Sequence, residues 1–139
     1  MTIPVWVLLG YAGWTLLILF ATVGVYRWSR ILTGRATIRE WSADEEQGSG
    51  WYRRAMRAHM NCIENLPVYA AIVVAIMASG LNSPWLDGLA VALLAFRMAH
   101  SLWHIFLEQT EVVASIRFAL YFAQILILFA MGISVAVNA

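Results

Sequence analysis

Four stretches of the chain are almost wholly apolar, at about residues 4–27, 52–80, 84–107 and 112–137. Each reaches the roughly 20 residues that an α-helix needs to cross the hydrocarbon core of a bilayer. A long polar segment, 28–51, separates the first two and is rich in Arg, Glu, Asp, Gly and Ser. The other connections are short. Ser79-Gly80-Leu81-Asn82-Ser83-Pro84 reads as a turn, with Pro84 placed to open the third helix. The last link, around Glu108 to Glu111, is shorter still. Helices joined in this way pack as antiparallel neighbours. The pattern predicts an all-α membrane protein, with residues 1–139 forming one four-transmembrane-helix bundle.

Composition supports lipid as the solvent. The 139 residues are 62% hydrophobic and 12% charged, against about 25% charged in an ordinary soluble domain. The first 26 residues carry no charge, and the basic residues follow the apolar run. A secretory signal has the reverse order, so this segment reads as a retained helix. All nine positive charges are arginines. Arg27, Arg30, Arg35, Arg39, Arg53, Arg54 and Arg57 surround the first loop, and none lies in the turn between the second and third helices. Positive charge stays cytoplasmic, so both termini are expected on the non-cytoplasmic side. A formal net charge of +1 gives no reason to expect nucleic acid. The single Cys62 excludes an internal disulfide and reads as a small packing residue.

Candidate chemistry lies in the polar residues inside the helices. An ionisable group at mid-bilayer costs roughly 2.5–3.5 kcal/mol on insertion scales, so it marks function or an internal pair. On the second helix Arg57, Asn61 and Glu64 fall at i, i+4 and i+7, one polar stripe. Interfacial anchoring accounts well for Arg53 and Arg54, and less well for Asn61 and Glu64, because a carboxylate cannot snorkel far. Pro67, just beyond, either opens a cavity by kinking the helix or bends it for packing. The third helix carries Arg97, His100 and His104 at i, i+3 and i+7; Arg97 lies too deep to snorkel and calls for a partner such as Glu64 or a bound anion. His100, His104 and Glu108 have neither an HExxH signature nor a second acidic ligand near His100, so no metal is expected. The fourth helix carries Arg117, Tyr121 and Gln124, where a lipid-phosphate anchor and an aromatic belt are the plain alternatives.

Taken together, these stripes lie toward the cytoplasmic ends of their helices. Arg27, Arg57, Arg97 and Arg117 come to one level with one acid, Glu64, expected to be buried among them. Four cations against one anion ask for an anionic ligand, and guanidinium groups suit carboxylates.

The run Arg57-Ala58-His59-Met60-Asn61-Cys62-Ile63-Glu64-Asn65-Leu66-Pro67 resembles the signature of the MAPEG superfamily, membrane-associated proteins in eicosanoid and glutathione metabolism. The resemblance extends over nearly the whole chain. It implies a homotrimer that binds glutathione, as co-substrate, in clefts between subunits open to the cytoplasmic side. Carried over by position, it implies that Arg57, Asn61 and Glu64 hold the tripeptide, with Glu64 on its amino group. Arg97 and His100 match helix-three positions of the family, Arg27 an arginine ending helix one, and Tyr121 a helix-four tyrosine. Arg117 matches the arginine that stabilises the glutathione thiolate, and is the catalytic candidate. The acidic loop residues Asp44, Glu45 and Glu46 receive no role.

Two departures narrow the activity. Phe118 follows Arg117 where microsomal prostaglandin E synthase has a serine, and His104 stands where it has a tyrosine. The expectation is a membrane glutathione transferase or peroxidase acting on lipophilic small molecules drawn from the membrane lipid. The alternative is a non-enzymatic member of the fold whose cleft holds lipid or another small anion. A transporter subunit is disfavoured, because residues 65–86 and 122–139 carry no charge before Asp87 and none at all, respectively.

Overall fold

The computed structural model describes residues 1–41, 48 and 50–139, so Asp44, Glu45 and Glu46 lie outside the described residues. Four helices long and apolar enough to cross a membrane make up the described chain: α1 (Ile3–Leu32), α2 (Gly50–Ser79), α3 (Pro84–Phe106) and α4 (Glu111–Asn138). Their ends follow local chemistry. Pro4 and Pro84 sit in first turns, where the missing N–H costs nothing, and Asp87 favours the positive end of α3. Thr110 caps α4, its hydroxyl accepting from the Val113 N–H at 3.2 Å. Gly80, at φ +67°, ends α2 in a conformation that costs other residues energy.

Helix α1 differs from expectation in two ways. It continues past residue 27 to Leu32, with Arg30 in its last turn. Arginine is a good helix former, and at a helix C-terminus it meets the negative end of the dipole. Between Leu19 and Gly24 the helix also widens into a π-helical segment. Sequence periodicity carries no mark of it.

The helices alternate in direction. Near one end the Tyr69 hydroxyl of α2 donates to the Pro4 carbonyl of α1 (2.9 Å), and Trp85 Nε1 of α3 donates to Ser134 Oγ of α4 (3.3 Å). At the other end Arg27 Nε donates to the Tyr52 hydroxyl (2.7 Å), and Arg54 Nε to the Ile105 carbonyl (3.1 Å). Helix α1 packs on α2 and α3, and α4 packs on α3 and α2, which places α2 and α3 at the centre. Buried Ala55, Ala58, Cys62 and Ala90 allow close approach of the helices, as small residues do in membranes. Cys62 is fully buried, with Sγ 3.5 Å from Ser101 Oγ. Polar side chains bond across helices, half-buried Trp14 Nε1 to buried Ser101 Oγ at 3.3 Å among them, because hydrocarbon offers no other partner. Only 22–39% of each apolar span is buried within the chain. The rest needs lipid or another protein surface.

Candidate functional site

Alternation brings the start of α2, the end of α3 and the start of α4 to one end of the bundle. Two adjoining hollows open there. The deeper, about 190 Å³, is lined by Arg57 and Asn61 of α2, His100 and His104 of α3, and Arg117, Phe118 and Tyr121 of α4. The outer, about 330 Å³, shares Arg57, His104 and Arg117 and adds Arg53, Arg54, Leu107, Gln109 and Val113. Among the described residues lining them there is no carboxylate. The pair forms one cationic cleft.

Local contacts set its shape. Trp103 Nε1 donates to the Val113 carbonyl at 3.1 Å, which ties the α3–α4 link and fixes where α4 begins. Arg117 follows one turn later, with Nη1 3.3 Å from Gln109 Oε1 and 3.5 Å from His104 Nε2. Neither partner is anionic, and Arg117 remains half-buried at the cleft wall. Among the described residues no carboxylate is bonded to its guanidinium. Beneath it the His100 ring stands 5.9 Å from Tyr121 and 6.0 Å, edge to face, from His104.

Of the residues singled out from sequence, six meet in this cleft: Arg57, Asn61, His100, His104, Arg117 and Tyr121. Three do not. Arg97 is fully buried behind the wall, with Nη1 3.4 Å from His100 Nδ1 and its guanidinium carbon 5.7 Å over the Tyr11 ring. Of the two partners expected for Arg97, Glu64 or a bound anion, the first is corrected: Glu64 is exposed on the chain's surface, and among the described residues no ion pair joins the two. Asn61 and Glu64, three residues apart, differ by about 60° around the helix, so the stripe runs from the cleft wall at Asn61 to the exposed surface at Glu64. The expectation of a buried acid at this level fails with it. Arg27 lies on another face, in a groove of about 250 Å³ between α1 and α2 with Val23, Met56, His59, Met60 and Ile63. It is held there by Tyr52 and by the Trp41 ring, 5.3 Å from its guanidinium carbon.

Sequence reading missed Arg53, Arg54 and Gln109, which line the outer hollow. The two arginines read as membrane anchors because their positions bracket the helix start. Gln109 gives no signal, because its role depends on how the α3–α4 link folds back. Asn65 was also passed over. It is buried, its Nδ2 has no hydrogen-bond partner among the described residues, and it lines an apolar groove of about 340 Å³ with Ile125, Phe129 and Gly132.

Four membrane-length helices define an integral, multi-pass membrane protein, and a cleft lined by arginines and histidines opens at one end of the bundle. The sequence profile of the MAPEG family matches residues 4–137, and the chain belongs to that family of membrane proteins in eicosanoid and glutathione metabolism. No individual curated protein and no solved structure matches it.

Proposed function

We propose that the protein is a membrane glutathione transferase, with peroxidase activity toward lipophilic hydroperoxides. The observation that carries this reading is the cleft itself, where, among the described residues, Arg53, Arg54, Arg57 and Arg117 gather beside His100 and His104. Glutathione brings two carboxylates and a thiol. The outer arginines suit the carboxylates bidentately, and Arg117 takes the thiolate. A free thiol has a pKa near 8.5 and reacts as the thiolate, which an adjacent guanidinium favours. The thiolate sulfur then forms a bond to an electrophilic carbon while the leaving group departs with its electron pair. With a hydroperoxide it attacks the O–O bond, and a second thiol completes a disulfide as alcohol and water are released.

The remaining site residues fit a cleft shared between copies. Glu64 is exposed, and Arg27 is half-buried in a groove on another face of the chain, outside the cleft. In the homotrimer we propose, Arg27 of one copy and Arg117 of the next serve the same tripeptide, and Glu64 is placed for its amino group.

The test joins isothermal titration of glutathione to a chlorodinitrobenzene conjugation assay. Arg117→Ala is expected to lower the conjugation rate by about 10²–10³-fold, the scale for removing one preorganised charge-stabilising donor, while the oligomer persists. Unchanged turnover would remove Arg117 from the reaction. One feature favours a second reading. Phe118 lines the deeper hollow, stacked on Phe122 (6.2 Å), where a hydroxyl would assist the thiol. Glutathione binding without turnover in the native protein would assign it to the non-enzymatic members of the fold; tight binding of a lipid headgroup instead would replace the ligand.

A further inference from the structure

Among the described residues Arg97 is the one arginine wholly buried. It does not line the cleft, yet it touches a residue that does: its Nη1 lies 3.4 Å from His100 Nδ1. A guanidinium keeps its charge, presents N–H donors and has no acceptor. The contact is favourable only when His100 Nδ1 offers its lone pair. In a neutral imidazole one nitrogen accepts and the other carries the proton. The proton of His100 therefore belongs on Nε2, the other ring nitrogen of a residue that lines the cleft.

The surroundings hold this arrangement in place. Ser101 Oγ donates to the Arg97 carbonyl at 2.9 Å and accepts from Trp14 Nε1 of α1 at 3.3 Å, which pins the turn of α3 that carries both residues. On its far side the guanidinium is backed by the Tyr11 ring. His100 itself is 1% exposed, and Tyr121 and His104 flank its ring, so it has little freedom to turn over.

We propose that Arg97 is a positioning residue that fixes His100 as the Nε2–H tautomer, so that the cleft receives a neutral hydrogen-bond donor at this point. His100 then gives a hydrogen bond to an acceptor oxygen of the bound ligand and is not the base that removes the thiol proton. The identity of that ligand rests on the glutathione reading. The tautomer does not.

Magnetic resonance of the purified protein, with histidine isotope-labelled at both ring nitrogens, reads the tautomer directly. His100→Gln identifies the signals by their loss. The native protein at neutral pH is expected to show His100 Nδ1 as an unprotonated nitrogen and Nε2 as an N–H with its one-bond coupling. Arg97→Leu is expected to average the two nitrogens toward mixed tautomers, and Arg97→Gln, which keeps a donor, to restore the native pattern. A protonated Nδ1 in the native protein overturns the proposal, and this holds even if the leucine variant fails to fold. An unchanged pattern in a folded Arg97→Leu protein also overturns it. Adding glutathione is expected to shift the Nε2–H signal. A native tautomer as predicted with no shift would sink the choice of ligand and leave the assignment of Arg97 intact.

Discussion

At the scale of single residues, the structure divides arginines that look equivalent in sequence. Arg117 stands at the cleft wall beside His104 and Gln109, whereas Arg97 is sealed in the core against Tyr11 and His100. Depth along a helix was legible, because it follows from counting residues. Direction around the helix was not, because Arg97 lies in a largely apolar helix whose exposed and buried faces are both apolar, so the pattern does not mark the inward side. The same blindness made Glu64 seem buried and hid Asn65, its neighbour, which is. Direct bonds across the bundle are worth less than their number suggests, since an unfolded chain in lipid also finds partners. Tyr69→Phe removes the hydroxyl's bond to the Pro4 carbonyl, 2.9 Å long and buried. It is expected to cost about 0.5–1.5 kcal/mol, read as a shift in the unfolding midpoint in a denaturing detergent.

At the scale of elements, four hydrophobic runs of bilayer length and two tight turns made the helices legible, because lipid leaves the backbone no other way to satisfy its polar groups. The π-helical stretch of α1 was not legible. A π turn absorbs one residue more than an α turn, and that surplus has a use here. Upstream of it Val7, Tyr11 and Ile18 face the core; downstream Arg27 reaches Tyr52. In an unbroken α-helix of the same length, Arg27 would swing about 100° away. Deleting exposed Ala21 within the stretch is therefore expected to change stability by about 1 kcal/mol or less and to leave the Arg27–Tyr52 contact in place. Deleting Ala12, in the regular part of α1, rotates everything after it and is expected to cost about 3 kcal/mol or more. Equal damage from the two deletions would show that the stretch does not hold register.

At the scale of the whole molecule, simple alternation of four helices gathers residues far apart in sequence at one end, and this much followed from the loop lengths. What covers the exposed apolar surface did not, because the pattern of one chain does not record it. The separation of Arg27 from the Arg117 cleft gives the shared-site reading a sharp test. Chains carrying Arg27→Ala and chains carrying Arg117→Ala, each inactive alone, are expected to regain part of the native conjugation rate when produced together, since closed rings pair one chain's patch with the next chain's. No recovery in a verified mixed oligomer would place both residues in one chain's site. The burial of Cys62 bears on a different matter, which is survival. On the transferase reading the protein meets electrophiles that also modify proteins, and the side chains most open to attack are thiolates and amines. This chain has no lysine, and its one thiol is walled into the core beside Ser101. Prolonged exposure to chlorodinitrobenzene without glutathione is expected to leave the mass of the folded protein unchanged, and a single adduct on Cys62 to form only after unfolding.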